Sequence, residues 1–170
     1  MVFSFLKKLF QAAVIFLITV TVMFMVISLI FSKDTTKPKY LQELCGLDIS
    51  GSEMISYEDS HGGFHGDGTL TAAYDCSQIS DSIAEQTAQW KTLPLTDNLQ
   101  KIMYNHDRFD LAKKYGIPEI SKGCYFFKDR HSESDDPSSD KNLFDRYSLN
   151  FSLVIYDADN HKLYLFEFDT

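Results

Sequence analysis

The sequence predicts an α+β domain tethered by an N-terminal apolar helix, and three observations predict it. The first is a run of 23 residues, Leu9 to Phe31, without one ionisable group. The second is a C-terminal stretch in which apolar residues alternate, turn at Asp157-Ala158-Asp159-Asn160, and alternate again. The third is the order of the elements between them, two strands, a helix, an irregular stretch and three strands, which is the arrangement of an antiparallel sheet packed by helix.

In the apolar run the polar residues are Gln11, Thr19, Thr21 and Ser28. At about 1.5 Å rise per residue such a helix is ~34 Å long, enough to cross a hydrocarbon core of about 30 Å with slight tilt. Thr and Ser hydroxyls bond back to the carbonyl one turn earlier and cost little in lipid. A buried core helix is disfavoured, because a helix apolar on every side and this long rarely belongs to a soluble domain. A cleavable signal is disfavoured because its apolar stretch is shorter and is followed by a small-residue site, whereas Phe31-Ser32-Lys33-Asp34 follows this one. Residues 1–32 are therefore expected to be a cytoplasmic tail and a single-pass membrane anchor, 33–45 a linker, and 46–170 an extracytoplasmic α+β domain. Lys7 and Lys8 precede the run, and Lys33, Lys37 and Lys39 follow it. The positive-inside rule is nearly tied; the short tail and the acidic remainder favour the N-terminus inside and the C-terminal domain outside.

The chain carries 16 bases and 24 acids, and with Lys7 and Lys8 set aside, residues 33–170 hold 14 bases against 24 acids. That balance argues against nucleic acid, whose phosphates need clustered Lys and Arg.

Lys33 to Lys39 is polar, and Tyr40 to Leu47 suits one or two helical turns stopped by Gly46. Strands are expected over Glu53–Ser60 and Thr69–Cys76. Between them, His61-Gly62-Gly63-Phe64-His65-Gly66-Asp67-Gly68 holds four of the chain's eight glycines, and the Asp-Gly pair is a hairpin signal. Ser77 to Ala88 reads as a helix, capped by Ser77 or Ser80, with Ile79 and Ile83 on its inner stripe. Pro94 keeps Trp90–Leu95 extended. Thr96 suits a cap for a short helix over Asn98–Tyr104, with Leu99, Ile102 and Met103 inward. A third helix is expected over Asp107–Tyr115, stopped by Gly116 and Pro118. Gly123–Asp129 reads as a strand, 130–142 as a polar loop, and Arg146–Tyr156 and His161–Asp169 as a hairpin, with Tyr147, Leu149, Phe151, Leu153 and Ile155 on one face. About five strands are expected, with helix on one face. The last strand is apolar on both sides, so its second face meets more of the chain, such as Trp90–Leu95, or is a partner surface.

Several blocks of this sequence stand together: Asp59-Ser60-His61-Gly62-Gly63-Phe64 with Gly66-Asp67-Gly68-Thr69, Trp90-Lys91-x-Leu93-Pro94-Leu95, Asp129-Arg130-His131-Ser132-Glu133-Ser134, and Arg146-Tyr147-Ser148-x-Asn150-Phe151 with the closing Glu167-Phe168-Asp169-Thr170. In these blocks the chain resembles a bacterial family of small secreted or membrane-anchored proteins, over roughly residues 46–170. The resemblance implies an extracytoplasmic domain and carries no activity, cofactor or catalytic residue with it.

Chemistry has few candidates. The Gly-rich loop lacks the Lys of a phosphate cradle and carries Asp67, which repels phosphate. His61, His65 and Asp67, with His131 from another block, are the candidate metal ligands, since positions four apart on a strand face one side. The plainer expectation is polar histidines pinning backbone groups. Asp129, Glu133, Asp135, Asp136 and Asp140 depart from the spacing of a calcium loop and read as a solvated acidic loop, which Arg130 and Arg146 can join. Cys45, Cys76 and Cys124 form no C-x-x-C pair; either Cys76 and Cys124 bridge two strands or all three are separate small core residues. No nucleophile motif appears, so the catalytic residues and any cofactor are unknown. A membrane-anchored binding module for a protein or small ligand is the first expectation. A metalloprotein or hydrolase using His61, His65, Asp67 and His131 is the second, and it requires His61 and His131 to meet in a cleft.

Overall fold

The computed structural model describes residue 11 and residues 14–24, 38–62, 66–105 and 110–170. The chain divides into two units, Met1–Thr35 and Thr36–Thr170. In the first, Gln11 and residues 14–24 are helical. Thr19 and Thr21 donate their hydroxyls to the carbonyls of Ile15 and Leu17, each at 2.9 Å. Ile15, Phe16, Leu17 and Phe24 are exposed. Among the described residues no helix is long and apolar enough to cross a membrane. The expected span of 9–31 lies partly outside them, as do residues 33–37 of the expected linker, His65 of the Gly-rich loop and residues 106–109.

The second unit is α+β, built on one antiparallel sheet. Its strands are β1 (Glu53–Asp59), β2 (Gly68–Asp75), β3 (Lys91–Thr92), β4 (Gly123–Asp129), β5 (Asn150–Asp157) and β6 (Lys162–Asp169), in the order β1-β2-β6-β5-β4-β3. The sixth strand is β3, two residues that pair with Cys124 and Tyr125 beside the end of the sheet. The C-terminal hairpin closes as its sequence requires. Asp157 Oδ1 accepts the backbone N–H groups of Asp159 and Asn160 at 3.0 and 3.1 Å, the turn-forming use of an Asp side chain.

Helix covers both faces of the sheet, not one. The first face packs against α1 (Pro38–Cys45), the segment after it and α2 (Ser80–Gln86). There Tyr40, Leu41, Ile49 and Ile83 bury against Leu70, Tyr74, Val154 and Leu165. The second face packs against α3 (Asp97–Gln100), its π-helical continuation Lys101–Asn105, and α4 (Leu111–Lys114). Leu99, Ile102, Met103 and Leu111 meet Phe127, Phe151, Leu153 and Phe166. This is why β5 and β6 are apolar on both sides: side chains alternate across a strand, and both faces lie in cores. Each fully buried Leu, Ile or Phe contributes about 1.5–3 kcal/mol relative to exposure.

Several elements differ from their expected form. Residues 38–45 are not linker, because Tyr40 and Leu41 make α1 part of the first core. The helix after β2 begins as a 3-10 turn, Ser77–Ile79, and neither Ser77 nor Ser80 caps it. Asp75 Oδ1 instead accepts the Ser77 N–H at 2.9 Å. Among the described residues of the expected third helix, Leu111–Lys114 are helical, and Asp110 caps the Lys113 N–H in a left-handed conformation. The strand expected from Arg146 begins at Asn150, and Tyr147 is 87% exposed rather than inward. Trp90–Leu95 divides between the faces: Leu95 is buried in the second core with Leu93 packed against it, whereas Trp90 packs on Phe126 of the first. The three cysteines are free thiols, with Cys76 buried. Burial pushes the Cys45 thiol up to about 12 and that of Cys76 to about 11.

Candidate functional site

The Gly-rich connection leaves β1 at Asp59 and is pinned at its base. Ser60 N–H and Oγ both donate to the Thr69 carbonyl, at 2.9 and 3.1 Å, and Thr69 N–H donates to Ser60 Oγ at 2.9 Å. Gly62 N–H donates to the Asp67 carbonyl at 3.3 Å. Gly68 is required by space: a Cβ there would lie 2.5 Å from His61 Cα and 2.6 Å from its nitrogen.

From this base a polar chain runs into the first core. Asp59 Oδ1 accepts the backbone N–H of His61 at 2.9 Å and lies 2.7 Å from its Nδ1. His61 Nε2 lies 3.0 Å from Asp169 Oδ2 at the end of β6. Asp169 Oδ2 also accepts from Arg130 Nη2 at 3.0 Å. The same Nη2 donates to the Phe151 carbonyl at 3.1 Å and stands 3.7 Å from Glu167 Oε1. Glu167, 2% exposed, accepts the hydroxyls of Tyr40 and of Ser152, the latter at 2.9 Å. A buried carboxylate needs such partners, since desolvation of an unpaired charge is costly. Burial, then the Glu167 carboxylate beside it, pushes the Tyr40 phenol above its ordinary range. Burial acts to raise Asp59, but the hydrogen bonds from His61 and Tyr57 outweigh it and hold the carboxyl below its usual value.

His131 belongs to a different cluster. It is buried, its Nδ1 accepts the Glu133 N–H at 3.1 Å, and its Nε2 lies 3.1 Å from Ser148 Oγ. A nitrogen that accepts leaves the other carrying the proton, so Nε2 donates to Ser148. Tyr147 meets the ring edge-on at 5.6 Å. Next to it, Arg146 Nη1 donates to Asp129 Oδ2 at 2.6 Å, both side chains nearly buried. Asp140 is buried too and accepts the Thr96 hydroxyl. Two of the acids expected in a solvated loop are therefore buried and paired.

These contacts bear on metal binding. A metal takes the lone pair of a neutral imidazole. Both nitrogens of His61 face carboxylates, Nδ1 that of Asp59 and Nε2 that of Asp169, so both are engaged within the protein. Both nitrogens of His131 are likewise used. No hydrogen bond or ion pair among the described residues joins His61 to His131 or to the Asp67 carboxylate. Among them no group of three or more His, Cys, Asp and Glu could hold a metal ion. The geometry gives His61 a clamping role, tying the end of β1 to the end of β6.

The second feature is the outer edge of the sheet. Every residue of β1 is exposed, and Met54, Ile55 and Tyr57 retain 50%, 51% and 38% of their surface. Ile55 is a bulge between the pairs Met54–Tyr74 and Ser56–Ala73. On the second face, β1 and the segment 114–118 flank a groove of about 700 Å³ whose floor includes Thr71, Ala73 and Tyr164. Ser56, Thr71 and Ala73 are small, and this leaves the space open. Glu58, Lys114 and Lys162 bring charge to its lining. Sequence reading missed this groove, because its walls come from separate segments; the apolar Met54, Ile55 and Tyr57 within a strand otherwise rich in acids were the available signal. The chain matches no family model, no curated protein and no solved structure.

Proposed function

We propose that residues 9–31 anchor the chain in a cell membrane, N-terminus inside, and that the following α+β unit works outside as a binding module for a protein or small ligand. What supports the anchor is the uncharged run itself, with apolar side chains exposed along residues 14–24 and threonine hydroxyls returned to the helix backbone. The binding reading is carried by one observation: β1, exposed along its whole length, stands beside a groove of about 700 Å³. A wholly exposed strand with large apolar residues is a surface that proteins ordinarily blunt unless something uses it. The polar chain is read as structural, since its carboxylates and the His61 ring are taken up by one another and by Arg130, Tyr40 and Ser152.

Two measurements test it. Carbonate extraction of membranes should leave the full-length chain in the pellet, and a reporter active only outside the membrane should work when fused to Thr170. A photo-crosslinking residue at Ile55, used in intact membranes, should give a discrete adduct that the same residue at exposed Glu85 of α2 does not. A chain found in the supernatant overturns the anchor; identical adducts from both positions overturn the binding surface.

A further inference from the structure

We infer that the occupant of this surface is an extended, basic segment of a partner protein, which adds to the sheet as a seventh strand beside β1. The inference rests on the binding reading above and names its partner's chemistry.

The backbone supports strand addition. In an antiparallel pair, residues alternate between those that exchange both backbone bonds with the opposite residue and those that turn both groups the other way. Ser60 N–H donates to the Thr69 carbonyl at 2.9 Å, so that pair is a bonded one. Counting back through the register Asp59–Leu70, Glu58–Thr71, Tyr57–Ala72 and Ser56–Ala73, Ser56 and Glu58 turn their backbone groups to β2. Tyr57 and Asp59 turn theirs to the outer edge, beyond which the sheet has no further strand among the described residues. Backbone bonds there give affinity, and pockets for alternate side chains give selectivity. The groove beside Ser56 and Glu58 supplies such a pocket, walled by Tyr115, Ile117 and Pro118 and suited to a large apolar side chain.

Charge along β1 selects the occupant, while Lys114 and Lys162 in the groove lining oppose a base there and leave that pocket to the apolar side chain. β1 reads Glu53-Met54-Ile55-Ser56-Tyr57-Glu58-Asp59, with three acids and no base. A strand laid against it gains from bases opposite Glu53 and Glu58, and like charges directly opposite destabilise. A second copy of this chain fits badly for that reason: in no register does β1 find a base in another β1, and pairing centred on Ser56 sets Glu53 opposite Asp59.

The full-length chain in detergent micelles tests this by fluorescence anisotropy with two labelled heptapeptides. One alternates lysine with valine and phenylalanine; the other has glutamate in place of lysine. The basic peptide should bind at least about tenfold more tightly than the acidic one. Tyr57→Pro removes an outward N–H without touching the ladder to β2, as edge strands tolerate, and should weaken binding by about tenfold. Tyr57→Ala, which keeps that N–H, should weaken it less. Glu53→Lys combined with Glu58→Lys, which leaves two bases and Asp59 on the strand, should reverse the preference between the peptides. The emission of Trp90, packed on Phe126 in the first core, reports whether each variant is folded; if Tyr57→Pro unfolds, the reversal by the paired Glu53→Lys and Glu58→Lys substitutions decides the matter. Equal binding of the two peptides, no binding of the basic one, or a dimer of the chain abolished by the β1 substitutions overturns the inference. A position-specific adduct at Ile55 alongside a silent basic peptide overturns this partner chemistry alone and leaves the binding module standing.

Discussion

His61 Nε2 lies 3.0 Å from Asp169 Oδ2, joining residues 108 apart in sequence. The contact closes a loop at the end of the sheet: β1 is bonded to β2 and β2 to β6, and the imidazole spans from the end of β1 to the end of β6. With Asp59 on its other nitrogen, His61 holds the base of the Gly-rich connection against the strands. It adds a side-chain link between the distinctive loop and the C-terminal block to the Gly68–Asp169 strand pairing.

The clamp should be measurable as a coupling. His61→Ala and Asp169→Asn are each expected to lower unfolding stability by about 1 kcal/mol, a modest figure because both side chains are more than a fifth exposed. In a urea-denaturation double-mutant cycle the pair should show about 0.5 kcal/mol or more of interaction energy. Strict additivity would mean that the two groups do not support each other.

Glu167 should be far more sensitive. Its carboxylate accepts from Tyr40 and Ser152 inside the first core, so Glu167→Ala strands two buried hydroxyls and removes a charge facing Arg130. The expected loss is about 3–5 kcal/mol. Tyr40→Phe, which removes one donor and keeps the ring, should cost about 1 kcal/mol. A Glu167→Ala chain as stable as the parent would contradict the burial assigned to this group.

Gly68→Ala tests the packing of the connection. The added methyl would meet His61 backbone at 2.5–2.6 Å, and backbone cannot give as a flexible side chain can. About 1–3 kcal/mol of destabilisation is expected, with a weakened His61–Asp169 coupling in the same cycle. Gly123→Ala should be worse: its φ is +142° and the new Cβ would lie 1.9 Å from the Tyr156 carbonyl oxygen. Failure to accumulate a folded Gly123→Ala chain is the expected result in an expression and proteolysis assay.

Acid should loosen the same corner. Because His61 and Tyr57 hold the Asp59 carboxyl below its usual value, its contribution to stability is present above the unfolded value of about 3.9. That contribution is lost as pH falls through the lower, folded value. Asp59→Asn should therefore flatten part of the acid limb of a stability–pH curve below about pH 4. An acid limb of identical slope in the two chains would remove Asp59 from that role.

Much of the fold was legible in the residues because periodicity reports burial directly. The alternation in 150–169 placed β5 and β6, whereas the apolar character on both sides of β6 left its second face open between packing and a partner surface until the second core was seen. Leu99, Ile102 and Met103 were read as inward and are buried. Reading failed where a residue's role depends on distant partners. Tyr147 continues an alternating pattern, yet it lies outside the strand and stacks its edge on His131. Asp129 and Asp140 look like loop acids until Arg146 and Thr96 are brought to them. His61 and His131 looked like members of one ligand set, and their hydrogen-bond partners separate them.

By itself, then, the sequence determined most of the strands and marked one uncharged apolar stretch, because local spacing and composition decide how a segment can hide its nonpolar atoms. Only the tertiary structure decided that β1 stands at the sheet's edge beside a groove, and that His61 is held between two carboxylates. Those facts are fixed by strand order and register, which depend on pairings between residues up to about a hundred positions apart that no local pattern records.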